Sequence, residues 1–219
     1  MYGCLLGYTS IAAEMGDADL KALVEHIAAE SLPVVEDPGI LSPRAFIDEV
    51  LHERFPNPAI PDTPQRIAAD TSQKLPVRYG GTLRRYARQS EQALAGLEFA
   101  PLVFAGWCRY LLGVDDRGNA MPVSPDPMLP QLQAHLKGIE VGRPDSLAGQ
   151  LRPILSNAAL FGLICMQQAW GRGQKRCSGT CWPARGRCGP PCTAIVHVNS
   201  HNRNRGFCSA LQTAAGREA

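Results

Sequence analysis

The chain has 219 residues, a formal net charge of +2 and 45% hydrophobic residues. This length allows one domain of ordinary size with an appendage and excludes an assembly of several such domains. No internal repeat occurs at the periods of solenoid proteins, which excludes a repeat architecture.

The small net charge hides a difference between two parts of the chain. Residues 1–165 contain 14 of the 22 Lys and Arg and 19 of the 20 Asp and Glu, a net of five negative charges. From Met166 onward, eight Lys and Arg accompany a single acid, Glu218, a net of seven positive charges. The junction therefore separates two different compositions.

The N-terminal segment predicts helices. Met1–Ala12 lacks the basic region of a secretion signal, so we expect a cytoplasmic protein. Asp17 predicts one helix start, and Ser42 with Pro43 predicts another. Their apolar faces consist of Leu20, Leu23, Val24 and Ile27 in the first helix and Phe46, Ile47, Val50 and Leu51 in the second.

The segment from Asn57 to Arg78 is the candidate site. Thr63 is a typical N-cap residue, and a proline follows it at the first helical position. The pattern predicts a helix from Pro64 to about Leu75, which Pro76 then stops. Four polar side chains would share an arc of roughly 100° on this helix. They are Arg66, Asp70, Gln73 and Lys74.

Two interpretations of these cations are open. In a single helix Arg66 and Lys74 would lie roughly 12 Å apart along the axis, so they could contact two ends of a small polar molecule. Alternatively, Arg66 and Asp70 form an ordinary surface pair, and Lys74 is a solvated lysine near the helix end.

The remaining periodic segments are also helical. Residues 94–112 are apolar nearly all round, which indicates a central buried helix. Gly106 and Arg109 interrupt them, and the apolar run is shorter than a bilayer requires, so we expect no membrane span. Residues 113–127 are rich in turn residues, Asp126 and Pro127 open a helix to about residue 137, and residues 147–163 form a last one. No useful β-strand alternation precedes the tail, so a mainly α bundle is predicted.

The chain resembles the C-terminal domain of the long-chain mannitol dehydrogenase family over roughly residues 1–163. The landmarks are Leu6-Gly7-Tyr8, Asn57-Pro58-Ala59-Ile60, Asp62-Thr63, Arg66-Ile67-Ala68, Asp70, Ser72-Gln73-Lys74-Leu75-Pro76, Gly106-Trp107-Cys108-Arg109-Tyr110, Gly113-Val114-Asp115 and Asp126-Pro127. Their order makes the resemblance much more specific than any one dipeptide. It implies a helical substrate domain of the mannitol dehydrogenase type, similar to the C-terminal domain of 6-phosphogluconate dehydrogenase.

The resemblance implies a part in an NAD(P)-dependent oxidoreductase that interconverts a sugar acid or polyol with its keto form. By position, Arg66 and Lys74 resemble the two basic residues with which such enzymes hold the substrate. Two cations favour fructuronate or mannonate over fructose or mannitol, because charge-assisted hydrogen bonds are roughly twice as strong as neutral ones. The expected partner is a small sugar acid or polyol, with no nucleic acid or membrane. A separately encoded N-terminal domain is also compatible with this reading.

Two sets of residues of such enzymes are missing from these 219 residues. No Gly-rich dinucleotide-binding turn occurs. The family's catalytic pattern, Lys-x-x-x-x-Asn-x-x-His, does not occur either, and in the family it lies just upstream of the segment that residues 1–8 resemble. His26, His52 and His135 are expected to be structural. We therefore expect a fragment that holds no catalytic residues, binds no NAD or NADP by itself and has no dehydrogenase activity.

From Met166 onward the chain contains five of its eight cysteines, namely Cys177, Cys181, Cys188, Cys192 and Cys208. Four of them could surround one zinc ion, and the nearby arginines could contact nucleic acid. This leaves an alternative function, a helical binding module with a zinc or nucleic-acid tail. The central gap of six residues is shorter than in usual zinc modules. Because this composition is typical of GC-rich DNA read out of frame, we interpret residues 164–219 as frameshifted and disordered, with no metal site.

Overall fold

The computed structural model of the chain describes residues 1–141, 146, 150–155 and 157. These residues form a mainly α domain, as the sequence predicts, and their one β feature is an isolated antiparallel bridge between Val114 and Ala120. Within this part of the chain no helix is both long and apolar enough to cross a membrane. The helices are α1 (Tyr2–Leu6), α2 (Ile11–Met15), α3 (Ala18–Ser31) with a 3-10 turn (Leu32–Val34), α4 (Pro43–Glu49) with a π-helical turn (Val50–Arg54), α5 (Pro64–Ile67), α6 (Thr71–Gln89), α7 (Glu91–Ala95), α8 (Ala100–Leu111), α9 (Leu129–His135) and α10 (Arg152–Leu155).

Helix α8 is the centre of the domain. Ten of its twelve residues are buried, which confirms the central position that its apolar surface predicts. Trp107 and Tyr110 are completely inaccessible to solvent. The surrounding core comes from neighbouring helices, with Leu75 and Leu83 of α6 and Leu132 of α9 among its buried residues. Helix α1 packs directly on α8, since a Cβ atom added to Gly106 would lie 2.6 Å from the Tyr2 ring.

Two predicted helix starts are confirmed. The Asp17 carboxylate accepts hydrogen bonds from the amides of Asp19 and Leu20, at 2.9 and 3.1 Å. The Ser42 hydroxyl accepts one from the Ala45 amide at 3.4 Å, and Pro43 is the first residue of α4. Helix α4 itself contains no buried residue, and its predicted apolar face reaches the core through Leu51, which is 4% exposed and lies in the π-helical turn that follows.

The prediction of one helix over residues 94–112 is wrong, because a break separates α7 from α8. Helix α7 ends at Ala95, and α8 begins at Ala100. The carboxylate of Glu30 accepts hydrogen bonds from the amides of Glu98, Phe99 and Ala100, at 2.6, 2.9 and 2.7 Å. These amides start α8 and have no partner within the helix, so a distant acid fixes where the helix begins.

Arg109 carries a buried charge in this core. Its guanidinium donates to the carbonyl oxygens of Val114 and Asp115 and pairs with the Asp116 carboxylate at 3.1 Å. Burial lowers the pKa of Arg109, and the nearby carboxylates oppose that effect. The side chain thus ties α8 to the loop that follows it.

The later predicted elements are described in part. The helix predicted from Asp126 to about residue 137 is α9, which begins three residues later and ends at His135. Of the helix predicted over residues 147–163, the structure describes α10. The predicted disordered tail, residues 164–219, lies outside the described residues, as do Cys177, Cys181, Cys188, Cys192 and Cys208.

Candidate functional site

The candidate segment contains two helices where the sequence predicts one. Thr63 caps α5 as predicted, since its hydroxyl accepts a hydrogen bond from the Arg66 amide at 3.1 Å. The predicted end at Leu75 is wrong, because α5 stops at Ile67. Asp70 then adopts a left-handed backbone conformation with φ of 53°, which no helix accommodates. Helix α6 starts at the next residue.

Asp126 fixes the start of α6 from the opposite side of the break. Its carboxylate accepts hydrogen bonds from the Ser72 amide at 2.7 Å, the Ser72 hydroxyl at 2.6 Å and the Thr71 hydroxyl at 3.3 Å. The Met128 amide donates to the same carboxylate at 2.9 Å. Burial alone would raise the pKa of Asp126, but these hydrogen bonds outweigh it and lower the pKa. Asp126 therefore caps the N-terminus of α6, although it lies outside that helix.

Pro76 does not stop α6, contrary to the prediction. A proline inside a helix costs about 3 kcal/mol because it removes one hydrogen bond and crowds the preceding turn. Buried Leu75 and Leu83 hold α6 against the core on both sides of this position. Burying a leucine side chain contributes about 1.5 to 3 kcal/mol, so two of them offset the proline.

Helix α8 holds α5 and the start of α6 in a fixed relation. Trp107 Nε1 donates to the Thr71 hydroxyl at 2.9 Å, which attaches α8 to the start of α6. The Tyr110 hydroxyl donates to Ser124 Oγ at 2.9 Å, and Ser124 Oγ donates to the Gln65 carbonyl at 2.7 Å, which attaches it to α5. Trp107 and Tyr110 are three residues apart, hence on one face of α8.

Arg66 pairs with Asp62 and not with Asp70. Its Nε donates to Asp62 Oδ1 at 2.6 Å, and its Nη2 donates to Asp62 Oδ2, so the contact is bidentate. The alternative interpretation, a surface pair with Asp70, is wrong. The Arg66 side chain is 69% exposed, whereas that of Asp62 is 18% exposed. The guanidinium thus reaches from solvent back to an anchored carboxylate.

Lys74 reaches back from α6 to the end of α5. Its Nζ donates to the Ile67 carbonyl at 3.3 Å, across the break. The hydrogen bond from Arg66 is the main cause that lowers the pKa of Asp62, while partial burial opposes it. The Thr63 amide and the charges of Arg66 and Lys74 lower that pKa further. Lys74 Nζ therefore lies beside the last residue of α5, one residue from Arg66 in the chain, although the two cations belong to different helices.

This arrangement can bind an anion or a polyhydroxylated molecule. A guanidinium has five N–H donors in a planar fork, and an ammonium has three donors. Arg66 uses two of its donors on the Asp62 carboxylate, and Lys74 uses one donor on the Ile67 carbonyl. The unused donors can accept an anion or a hydroxyl oxygen as partner, so the chemistry of the pair is binding and orientation.

Sequence reasoning missed two residues that shape this site. Asp62 enters the sequence analysis only as a landmark of the family resemblance, although its position four residues before Arg66 is the spacing of an ion pair. Asp126 is predicted only as the start of α9. Its hydrogen bond from the Ser72 amide spans 54 residues, and no local sequence pattern reveals a contact over that separation. The run Asp70-Thr71-Ser72 is rich in N-cap residue types and could have indicated a helix start within the predicted helix.

Other chemistry-bearing residues in the described part have structural contacts. His26 stacks on Phe99 with ring centroids 4.3 Å apart, and His52 Nδ1 lies 2.9 Å from the Asp48 carbonyl oxygen. Across residues 1–141, 146, 150–155 and 157, no group of three or more His, Cys, Asp or Glu side chains could hold a metal ion.

Comparisons with known proteins agree with this fold. The chain is 52% identical over 161 residues to the D-mannonate oxidoreductase of Thermotoga maritima, a match that covers 74% of this chain and 30% of that protein. It is 39% identical over 154 residues to the mannitol 2-dehydrogenase of Emericella nidulans, covering 67% of this chain and 26% of that protein. The chain thus spans less than a third of the length of these relatives.

A solved structure gives the same architecture. The mannitol 2-dehydrogenase of Pseudomonas fluorescens, in a ternary complex with NAD and D-mannitol, superposes with a TM-score of 0.54. The match covers 96% of this chain and 36% of that one, and at 21% sequence identity it shows the fold alone. Residues 1–151 match the family model described as the mannitol dehydrogenase C-terminal domain. The chain therefore belongs to the mannitol dehydrogenase C-terminal domain family.

Proposed function

We propose that this chain is the substrate-binding domain of an NAD(P)-dependent oxidoreductase that interconverts a sugar acid or polyol with its keto form. Arg66 and Lys74 bind the substrate and orient it, and they do not transfer protons. The observation that carries the proposal is that Lys74 Nζ reaches back across the break to the carbonyl of Ile67, the next residue after Arg66, so α6 brings one cation to the helix that carries the other. Two cations brought to the end of one short helix can together hold a carboxylated ligand.

The favoured substrates are fructuronate and mannonate, followed by fructose and mannitol. The higher identity to a D-mannonate oxidoreductase than to a mannitol 2-dehydrogenase supports this order. A bidentate guanidinium and a nearby ammonium match a carboxylate better than a row of hydroxyls. A cytoplasmic location and the domain boundary at residue 163 stay predictions.

NAD or NADP serves the whole enzyme in this proposal. A dinucleotide is held by a strand, a glycine-rich turn and the N-terminus of a helix. The sequence contains no such turn, and the described residues contain no strand beyond the isolated bridge. The residues present do not fit a dinucleotide, so cofactor binding belongs to a nucleotide-binding partner domain, in the same chain or separately encoded.

The alternative function receives no support from the comparisons. A helical binding module with a zinc or nucleic-acid tail does not account for the family match over residues 1–151. The tail itself lies outside the described residues. We therefore do not propose that function.

A chimera tests the proposal. The matching segment of the Thermotoga maritima relative would be replaced by residues 1–163 of this chain, and NADH oxidation would be followed with fructuronate and with fructose. We expect Arg66→Met and Lys74→Met each to lower kcat/KM for fructuronate by about tenfold or more, the loss of one charge-assisted contact.

The controls are two substitutions that remove one arginine and one lysine outside the candidate site. Arg44→Met and Lys21→Met each break an exposed pair four residues along a helix, with Asp48 and Glu25. We expect both to keep kcat/KM within about twofold, because such surface pairs contribute little. If Arg66→Met and Lys74→Met behaved like these controls, the proposal would be wrong.

A further inference from the structure

Asp62 is anchored by its own backbone. Its carbonyl accepts a hydrogen bond from the Ile11 amide at 3.0 Å, and its amide donates to the Ile60 carbonyl at 2.8 Å. Its Oδ1 atom also accepts the Thr63 amide at 2.8 Å. The carboxylate is therefore fixed in place before Arg66 contributes anything.

The contact between Asp62 and Arg66 differs from an ordinary surface pair in this chain. Arg44 and Asp48 have the same spacing of four residues, but their contact uses Nε alone at 3.3 Å, with side chains 71% and 52% exposed. Arg66 instead offers Nε and Nη2 to both oxygens of a carboxylate that is mostly buried. This is the geometry that a substrate carboxylate would use with the same guanidinium.

Asp62 also changes the charge that a ligand meets. Arg66 and Lys74 together carry two positive charges, and the ionised Asp62 that pairs with Arg66 reduces their sum to one. The hydrogen bond from Arg66 lowers the pKa of Asp62 below an ordinary value that already lies well under neutral pH. A carboxylate that takes the unused donors of Arg66 is repelled by the negative charge of Asp62, whereas a neutral polyol on the same donors is not.

We infer that Asp62 is a specificity-determining residue: through its hold on Arg66 it sets how strongly the site prefers a carboxylated ligand over a neutral polyol. This inference rests on the proposed function of Arg66 and Lys74. The wild-type carboxylate weakens the preference for sugar acids and keeps the site able to accept polyols. Removing its charge, while keeping its shape, shifts the site toward sugar acids.

The test uses the full 219-residue chain and two ligands, mannonate and mannitol, with dissociation constants measured by NMR titration. Asp62→Asn keeps an oxygen for the Thr63 amide and removes the charge. We expect it to bind mannonate about tenfold more tightly than the wild type and mannitol within about twofold of it. Asp48→Asn removes the equivalent charge from the Arg44 pair and should change neither constant.

A second variant covers the case in which Asp62→Asn fails to fold by circular dichroism. Asp62→Ser also removes the charge and keeps an oxygen acceptor, and the same shift is expected. An unchanged or weakened mannonate affinity in the folded variants would overturn the inference and leave Asp62 as a residue that only positions Arg66.

A result different from the one that overturns the inference on Asp62 would contradict the proposed function. If Arg66→Met and Lys74→Met bound mannonate as tightly as the wild type, the cations would not bind substrate, and the inference would fall with them. If these two variants lost mannonate while Asp62→Asn bound it with wild-type affinity, the proposed function would stand and the inference alone would fall.

Discussion

Asp126 caps Ser72 across 54 residues of sequence, accepting its amide at 2.7 Å and its hydroxyl at 2.6 Å. This contact decides where α6 begins, and α6 carries Lys74. The Asp-Pro landmark near residue 126 thus has a physical role far from its place in the chain. It holds one of the two proposed substrate-binding helices at the break.

Asp126→Ala should destabilise the domain by about 2 kcal/mol, because it removes an N-cap acceptor and leaves the Ser72 amide without that partner. Chemical denaturation followed by circular dichroism measures the change. Asp48→Ala, on an exposed face of α4, is the matched control and should cost less than about 0.5 kcal/mol. Equal stabilities of the two variants would contradict the capping role.

The Asp126 carboxylate should make the free energy of unfolding depend on pH. The pKa of Asp126 is lowered in the folded state, so its stabilising contribution is complete above the unfolded value of about 3.9. It is lost as the pH falls through the folded pKa. The free energy of unfolding of the wild type should therefore exceed that of Asp126→Ala at pH 7, with a gap that narrows below about pH 4. A gap that stayed constant down to pH 2 would contradict this assignment.

Replacing Gly106 and Gly81 by alanine should have opposite effects on the free energy of unfolding. A Cβ atom at Gly106 would lie 2.6 Å from the Tyr2 ring, whereas one at Gly81 meets nothing within 4 Å. Gly106→Ala should cost about 1 to 3 kcal/mol through overpacking between α1 and α8. Gly81→Ala should stabilise α6 by about 0.5 to 1 kcal/mol. Thermal unfolding of both variants checks the pair, and a stabilised Gly106→Ala would show that α1 does not pack there.

The two described cysteines should be unreactive in the folded chain. Burial raises the pKa of Cys108 to about 12 and also raises that of Cys4. Because the thiolate is the reactive form, iodoacetamide should label both only when the domain opens. Peptide mass spectrometry should find labelling at least about a hundredfold slower than in guanidinium chloride. Rapid labelling of Cys108 in the native protein would mean that α8 is not in the core.

The sequence predicts much of the fold because several signals in it are local. Asp17 and Ser42 cap their helices, Thr63 caps α5, and the apolar surface of α8 indicates its central position. These signals depend on residues within a few positions of each other, so periodicity and capping rules can find them.

The errors have the opposite cause, since each involves a distant partner. Glu30 starts α8 from 70 residues away, and Asp126 starts α6 from 54 residues away. Pro76 is accepted because buried leucines of the same helix pack on the core. Helical spacing singles out the two cations and the resemblance implies their role, whereas the bidentate contact of Asp62 with Arg66 became visible only in three dimensions.

A titration of the wild-type chain with mannonate, followed by NMR at the side-chain nitrogens, tests the central claim most directly. We expect saturable shifts at Arg66 Nε and Lys74 Nζ with one common dissociation constant, and no saturable shift at Arg44 Nε or Lys21 Nζ. Shifts of equal size at all four nitrogens, or none at Arg66 and Lys74, would contradict the claim that these two cations form a substrate-binding site.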